Sequence, residues 1–302
     1  MASFCTVLWA KEEKPVLDRV VDFYLDQGAS RVAVFFDEDP DFDMDTRGGR
    51  LEFVAANEAF WRDLEGGRPD SHEKRQDTIY RHTISERSED WILFLDCDEF
   101  LVSQRPIAEA LDQVPDDVDI VRVQNVEAIW GPGDDRNAPL GARWFRRPAK
   151  SRWKNQCLRL VYPGLRKVMK DGLVGHSEGK HFVRSRRSYA RTCAHWSTYA
   201  DGRPGEWAHD LLEDEMFVCH YDAMSFDLWR KKFLYRLEGR SSFVRMRGKR
   251  ERMVDLFASA AKGGEPKMRA LFERLFCVSG VRLKLLQALG LAFRRDIFSS
   301  RS

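Results

Sequence analysis

The chain has 302 residues, 43% of them hydrophobic and 32% charged, and a formal net charge of +2. That length buries a sizeable core in one large domain or two small ones. Nine Trp and twenty Phe exclude a disordered chain, and the lack of any run near the roughly 20 apolar residues that cross a bilayer excludes a multi-span membrane protein. So small a net charge makes no demand for nucleic acid as partner, and none is expected. Cys5, Cys97, Cys157, Cys193, Cys219 and Cys277 are scattered without a C-x-x-C pair. They are too sparse for a secreted disulfide scaffold, and residues 1–11 carry no basic leader, so the expected compartment is the cytoplasm.

In chain order, residues 3–9 form an apolar, β-prone run. Pro15 opens a helical pattern with Leu17, Val20, Val21, Tyr24 and Leu25 on one face, and Gly28 stops it. Strands are expected over 31–36 and 51–54. Asp70 with Glu73 three residues on resembles a capping box at the head of a helix carrying Ile79, Tyr80, Thr83 and Ile84. Residues 91–95 are a continuous apolar run of strand length. A helix over 106–114 and a strand over 119–126 follow. Residues 130–139 read as a Gly/Pro/Asp loop, and 150–191 as short strand-like pieces among basic residues. Ser225 is placed to cap a helix bearing Phe226, Trp229, Phe233 and Leu237. Met268, Leu271, Phe272, Leu275 and Phe276 keep helical spacing, and 281–293 is a further amphipathic stretch. Strands alternating with helices imply an α/β fold with a mostly parallel, mixed sheet covered on both faces, and a helical extension at the C-terminus. The expected division is a domain over 1–238 and a basic helical extension over 239–302.

In such sheets ligands bind at the carboxyl ends of strands, where this sequence places its acids. Glu12 and Glu13 follow the first strand, Asp37 the second, and Asp96 and Asp98 the run 91–95. In an extended backbone Asp96 and Asp98 project to the same side. Two carboxylates that close repel unless a cation sits between or near them, and they suit Mg²⁺ or Mn²⁺. His220, ending the apolar run Phe217-Val-Cys-His, could complete such a set, with His195 as runner-up.

These pieces resemble the bacterial family-2-type glycosyltransferases of GT-A (Rossmann-like) fold. The resemblance is carried by Trp9-Ala-Lys-Glu-Glu, by the helix over 16–27 with Gly28, by residues 32–37, by Gln76 within Lys74-Arg-Gln-Asp-Thr-Ile-Tyr, and above all by Asp96-Cys-Asp-Glu-Phe-Leu. Weaker echoes occur at Ile129-Trp-Gly, Gly179-Lys-His-Phe-Val-Arg and Cys219-His-Tyr, so the likeness covers about residues 3–236. The chain departs from the family pattern in following Lys11 directly with Glu12, and in a second-strand loop that reads Asp37-Glu-Asp-Pro-Asp-Phe-Asp. The resemblance implies a metal-dependent transferase that uses a nucleotide sugar, a UDP-sugar first, on a glycan acceptor in surface polysaccharide synthesis. Lys11, Glu12, Asp37, Gln76 and Asp96 would then line the donor pocket, and Asp96, Asp98 and His220 would hold Mn²⁺ or Mg²⁺.

A displacement at the anomeric carbon needs a carboxylate base near the acceptor hydroxyl. Glu178 and Asp134, both in loop-like sequence, are the candidates, each also readable as an ordinary loop acid. Trp130 is placed to stack on an acceptor sugar, or to anchor its loop to the core. Lys180 heads a basic run with Arg184, Arg186, Arg187 and Arg191, readable as a clamp for an anionic acceptor or the donor diphosphate, or as a solvated strand face. Two other classes compete: a phosphohydrolase or phosphotransferase with Asp96 as nucleophile, and a catalytically silent glycan-binding protein of the same fold. Finally, residues 266–302 carry eight Lys or Arg against Glu273 and Asp296. Their amphipathic helices are expected to pack against the core or a second subunit, with peripheral contact to the inner face of the membrane as the alternative.

Overall fold

The computed structural model describes residues 1–136, 138–207, 216–238 and 249–298. In chain order the strands are β1 (Phe4–Ala10), β2 (Arg31–Phe36), β3 (Leu51–Ala55), β4 (Trp91–Asp96), β5 (Glu99–Ser103), β6 (Ile120–Val123), β7 (Asn125–Ile129), β8 (Trp144–Arg146), β9 (Lys180–Arg184), β10 (Tyr189–Thr192), β11 (Ser197–Tyr199), β12 (Glu206–Trp207), β13 (Met216–His220) and β14 (Ala292–Arg294). The helices are α1 (Lys14–Asp26), α2 (Glu58–Glu65), α3 (His72–Glu86), α4 (Ile107–Asp112), α5 (Arg152–Val161), α6 (Phe226–Leu237), α7 (Lys249–Lys262), α8 (Gly264–Phe276) and α9 (Gly280–Ala288). The fold is mixed α/β, with a parallel-rich sheet flanked by helices. No described helix is long and apolar enough to cross a membrane.

By its contacts the chain divides into two compact units, one of residues 1–124 with 178–218, the other of 125–177 with 219–302. The sequence reading placed a single boundary at 238/239, beside residues 239–248, which lie outside the described ones.

The first unit is built on a seven-stranded sheet in the order β12-β6-β9-β4-β1-β2-β3. β1 pairs in parallel with β2 and β4, and β2 with β3, while β9 runs antiparallel to β4 and β6. Every residue of β1 is buried, because helices cover both faces and leave no side to carry polar residues. On one face Trp9, Phe35, Trp61, Ile79, Tyr80 and Phe94 make a continuous apolar cluster. On α1 the buried side chains are Leu17, Val20, Val21, Phe23 and Tyr24, the stripe expected from its spacing. The Tyr24 hydroxyl donates to the Glu99 carbonyl at 2.8 Å and accepts from the Leu101 amide at 2.9 Å, fastening α1 to β5.

The second unit contains the antiparallel ladder β14-β8-β7 and the helices α5 to α9. Its aromatic centre is Trp229, ringed by Phe233, Phe257, Phe272 and Phe276. On α8 the buried face is Met268, Leu271, Phe272, Leu275 and Phe276. The apolar stripe of the C-terminal extension therefore closes a core, as packing predicted.

Four local expectations are corrected. The cap of α3 is Ser71, whose hydroxyl accepts from the Lys74 amide at 3.2 Å, rather than Asp70 paired with Glu73. The strand expected over 119–126 is two strands, β6 and β7, parted at Gln124, whose carbonyl accepts from Val218. Residues 152–161, expected to be strand-like, are the helix α5; Leu158 and Val161, three residues apart, fall together on the buried side. The stretch 281–293 is helical only to Ala288 and ends in β14, after the left-handed turn at Gly290 (φ +67°).

Candidate functional site

The carboxyl ends of β1, β2 and β4 lie side by side in register, Trp9 opposite Asp96 and Ala10 opposite Phe36. This gathers Lys11, Glu12, Asp37, Asp96 and Asp98 at one edge of the sheet.

At its centre is Asp96, the last residue of β4. Its Oδ2 accepts from Lys180 Nζ at 2.7 Å, and its Oδ1 from Gln76 Nε2 on α3 at 3.3 Å. Lys180 Nζ lies 2.8 Å from Glu99 Oε2 as well, and that oxygen also accepts the Asp96 amide at 2.9 Å. Lys180 and Glu99 are wholly enclosed. Burial alone would raise the Asp96 carboxyl, but the ammonium of Lys180 overrides it and the pKa falls to about 2. Burial lowers and the two carboxylates raise Lys180, and the carboxylates prevail.

Cys97 and Asp98 form the turn between β4 and β5. The expectation of an extended backbone from Asp96 to Asp98 is thus corrected: the chain turns between them. Asp98 is buried, and Glu12 is half-buried at the end of β1. Burial pushes the Glu12 carboxyl up, its bond from the Lys11 amide at 2.8 Å pulls it down, and the negative charges of Asp98 and Asp96 push it up again, with a net rise. Lys11 itself is exposed and paired with Glu38.

Asp37 closes the edge at β2. Its carboxylate meets Arg68 Nη2 at 2.8 Å and Arg75 Nε at 3.2 Å, and its carbonyl accepts from Arg68 at 3.0 Å. Asp37, expected to contact the donor, thus has two guanidiniums on its carboxylate, neither foreseen from sequence. No spacing rule links Arg68 and Arg75 to an acid more than thirty residues away. Glu99 was also missed as a site residue, although it stands inside the Asp-Cys-Asp-Glu motif. Tyr80 was read only as a core residue; its buried hydroxyl has no hydrogen-bond partner among the described residues, and its ring stacks on Phe94 at 4.0 Å.

The residues expected beyond the donor edge are placed as follows. Lys180, expected to meet the acceptor, is instead the internal counter-ion of Asp96 and Glu99. Trp130 is fully buried in the second unit, where its amide donates to Phe276 at 2.7 Å; of its two readings, the structure selects the anchor. Asp134 is enclosed and accepts from the Gly131 amide at 2.8 Å and from Arg143 Nε at 3.4 Å, so it organises its own loop rather than facing an acceptor. Glu178 is half-buried, its carbonyl accepting from Arg122 at 3.1 Å. The His195 ring is 3.4 Å from the Gly179 carbonyl.

His220 ends β13 and lies in the second unit, its ring centroid 4.9 Å from that of His176. Beside it, Glu127 receives the amides of Val174 and Gly175 at 3.0 and 2.6 Å and pairs with the buried Arg146, 2.6 Å from its Nε. A Cβ on Gly175 would come within 2.9 Å of the His220 ring and 3.2 Å of Glu127. Only glycine allows that approach.

No family model matches the chain, and no curated protein matches it. Among solved structures it is similar to a mycobacterial protein, with 16% identity over 61% of this chain and 53% of that one and a TM-score of 0.28. It is similar to S. aureus TarS 1–349, with 9% identity over 78% and 65% and a TM-score of 0.31; a further structure of that protein is a complex with UDP-GlcNAc. The mannosyltransferase Ktr4p from S. cerevisiae matches with 10% identity over 60% and 56% and a TM-score of 0.27. The chain spans 53% to 65% of the length of these three proteins, and none of them places it in a family.

Proposed function

We propose that this chain transfers a sugar from a nucleotide-sugar donor, a UDP-sugar first, to a hydroxyl of a glycan acceptor, with Mn²⁺ or Mg²⁺ as cofactor. The observation that carries the reading is the convergence of Glu12, Asp37, Asp96 and Asp98 at the carboxyl edge of adjacent parallel strands, the position where open α/β sheets bind ligands. The family-2-type resemblance of the motif Asp96-Cys-Asp-Glu-Phe supports the same chemistry.

The residues fit a hard divalent cation. Glu12, Asp96 and Asp98 bring three carboxylates to one sheet edge, an arrangement that suits a bound cation. Asp98 and Asp96 are the proposed ligands. Bound there, the ion would neutralise charge that develops on a departing diphosphate. Lys180 and Gln76 fix the Asp96 carboxylate in an ionised state, so it needs no proton loss on loading. Arg68 and Arg75, held by Asp37, give the β2 corner two cations suited to an anionic or carbonyl-rich ligand. With Asp134 committed to its own loop, Glu178 is the carboxylate we assign as base. The setting is surface polysaccharide synthesis.

Thermal unfolding with ligands tests this. Mn²⁺ with UDP, at about 100-fold over its Kd, stabilises by about 2.7 kcal/mol and raises Tm by roughly 4 °C, while either alone does less. Asp98→Ala abolishes the joint effect. A wild-type chain whose Tm is indifferent to Mn²⁺ with every common nucleoside diphosphate is not this enzyme.

A further inference from the structure

The second unit carries a surface that the transferase reading does not use. Residues 147–170 hold eight Lys or Arg and no Asp or Glu, and residues 274–295 hold five and none. The structure brings these two acid-free segments together, because α5 packs beside α9. Lys154 of α5 reaches within 3.8 Å of a Cβ position on Gly290, just past the end of α9. Arg274, shortly before α9, donates to the Pro163 carbonyl just past the end of α5, at 3.4 Å. The two helices therefore run antiparallel.

Helix α5 buries Leu158 and Val161 and turns the opposite stripe outward: Arg152, Trp153, Gln156, Arg159 and Leu160. That stripe is amphiphilic in an unusual sense, since large apolar side chains stand on the solvent side. Trp153 is 59% exposed and Leu160 73%. At the adjoining end of α9, Val281 is 81% exposed, with Lys284 exposed one turn on. Among the described residues, no acid pairs with Arg152, Arg159 or Lys284.

We infer that the outward face of α5 and α9 docks on an anionic phospholipid bilayer, with Trp153, Leu160 and Val281 entering the headgroup–acyl boundary and Arg152, Arg159 and Lys284 meeting lipid phosphates. An anionic bilayer offers charge and hydrocarbon at the same depth, and it is the occupant that uses both halves of this surface. Tryptophan prefers that boundary. Nucleic acid would satisfy the cations but leave Leu160 and Val281 in water, since aliphatic tips neither stack on bases nor bond phosphate. A second copy docking isologously would set one acid-free patch against another and be repelled. The inference narrows the membrane contact first considered for the tail helices: the apolar stripe of α8 is buried, and the exposed residues stand on α5, outside that tail, and at the start of α9.

Co-sedimentation of the full chain with vesicles tests it. The wild type binds vesicles of phosphatidylcholine with about 30% phosphatidylglycerol at least roughly tenfold more tightly than phosphatidylcholine alone, and added salt weakens the binding. Two variants, Trp153→Ser/Leu160→Ser/Val281→Ser and Arg152→Glu/Arg159→Glu/Lys284→Glu, each lose roughly tenfold or more in binding to the anionic vesicles while keeping the wild-type Tm. The inference is overturned by wild-type binding that ignores lipid charge or is missing, or by variants that bind as the wild type does. It is overturned equally by binding to duplex DNA that only the charge variant loses while vesicles stay unbound, or by a dimer that the apolar variant dissolves without vesicle binding.

Discussion

Lys180 has two carboxylates within 2.8 Å and is wholly enclosed, so its charge is neutralised inside the protein rather than offered to a ligand. An uncompensated charge left behind in such a place is costly, and removal of one partner from a buried pair destabilises by about 3–5 kcal/mol. We expect Lys180→Met to lose stability in that range by urea denaturation, because Asp96 and Glu99 would then face each other unscreened. Adding Glu99→Gln to the same chain should recover part of the loss, since one of the two charges is gone. A Lys180→Met chain as stable as the wild type would show that the ammonium is not the counter-ion described. The cluster also explains the order of ionisation at this edge. Asp96 is held charged by the ammonium of Lys180, whereas Glu12 is pushed toward its neutral form, first by burial and then by the charges of Asp98 and Asp96.

At the scale of elements, the site depends on where β9 begins. Gly179 precedes Lys180 with φ at +73°, and a Cβ there would sit 2.2 Å from the Val123 carbonyl of β6. Both the backbone conformation and the space exclude a side chain. Gly179→Ala should therefore destabilise by more than about 2 kcal/mol and shift Lys180 away from Asp96, which a lowered urea midpoint and a changed Asp96 titration by NMR would reveal. An unchanged midpoint would mean that β9 can slide off β6 at no cost. Elements with a strong local pattern, helical periodicity in α1 and α8 and an unbroken apolar run in β4, were legible because that one pattern determined them. The failures fall where a local signal was ambiguous. Asp70 and Ser71 are both competent caps and adjacent, and only the entry angle of the chain selects Ser71. Gln124 parts β6 from β7 because a distant strand, β13, takes its carbonyl.

Across the whole molecule, acid should unfold the protein in two overlapping stages. His181 is buried against Phe94 and bonded to Ser197 at 2.8 Å; burial, then the nearby charge of Lys180, brings its pKa down to about 3 from 6.5. The unfolded chain takes up that proton between pH 6.5 and 3 and the folded one does not, so stability falls as pH falls through this window. Asp18, Glu52, Asp90 and Asp96 are lowered by their partners. Their contribution is complete above the ordinary carboxylate range and is lost as pH drops through the folded values, for Asp96 down to about 2. Urea midpoints measured from pH 7 to pH 3 should decline throughout, and His181→Phe should flatten the upper part of that decline. A midpoint independent of pH above 4.5 in the wild type would contradict a neutral, buried His181.

The sequence by itself determined the α/β class, strands β1 to β4 and the stretch that holds β6, and the edge at which the acids gather, because strand burial and helix amphipathicity are written in short-range spacing. It also singled out Asp37, Asp96 and Asp98 as acids at strand ends and, through the family resemblance, Gln76, which the structure places against Asp96. Only the tertiary structure decided what each charge faces: Lys180 turned inward to Asp96 and Glu99, Arg68 and Arg75 brought to Asp37, Trp130 and Asp134 enclosed, and Trp153 and Leu160 turned out to water. Partners of that kind are separated by tens of residues, and their pairing follows from how sheets and helices pack rather than from any local pattern.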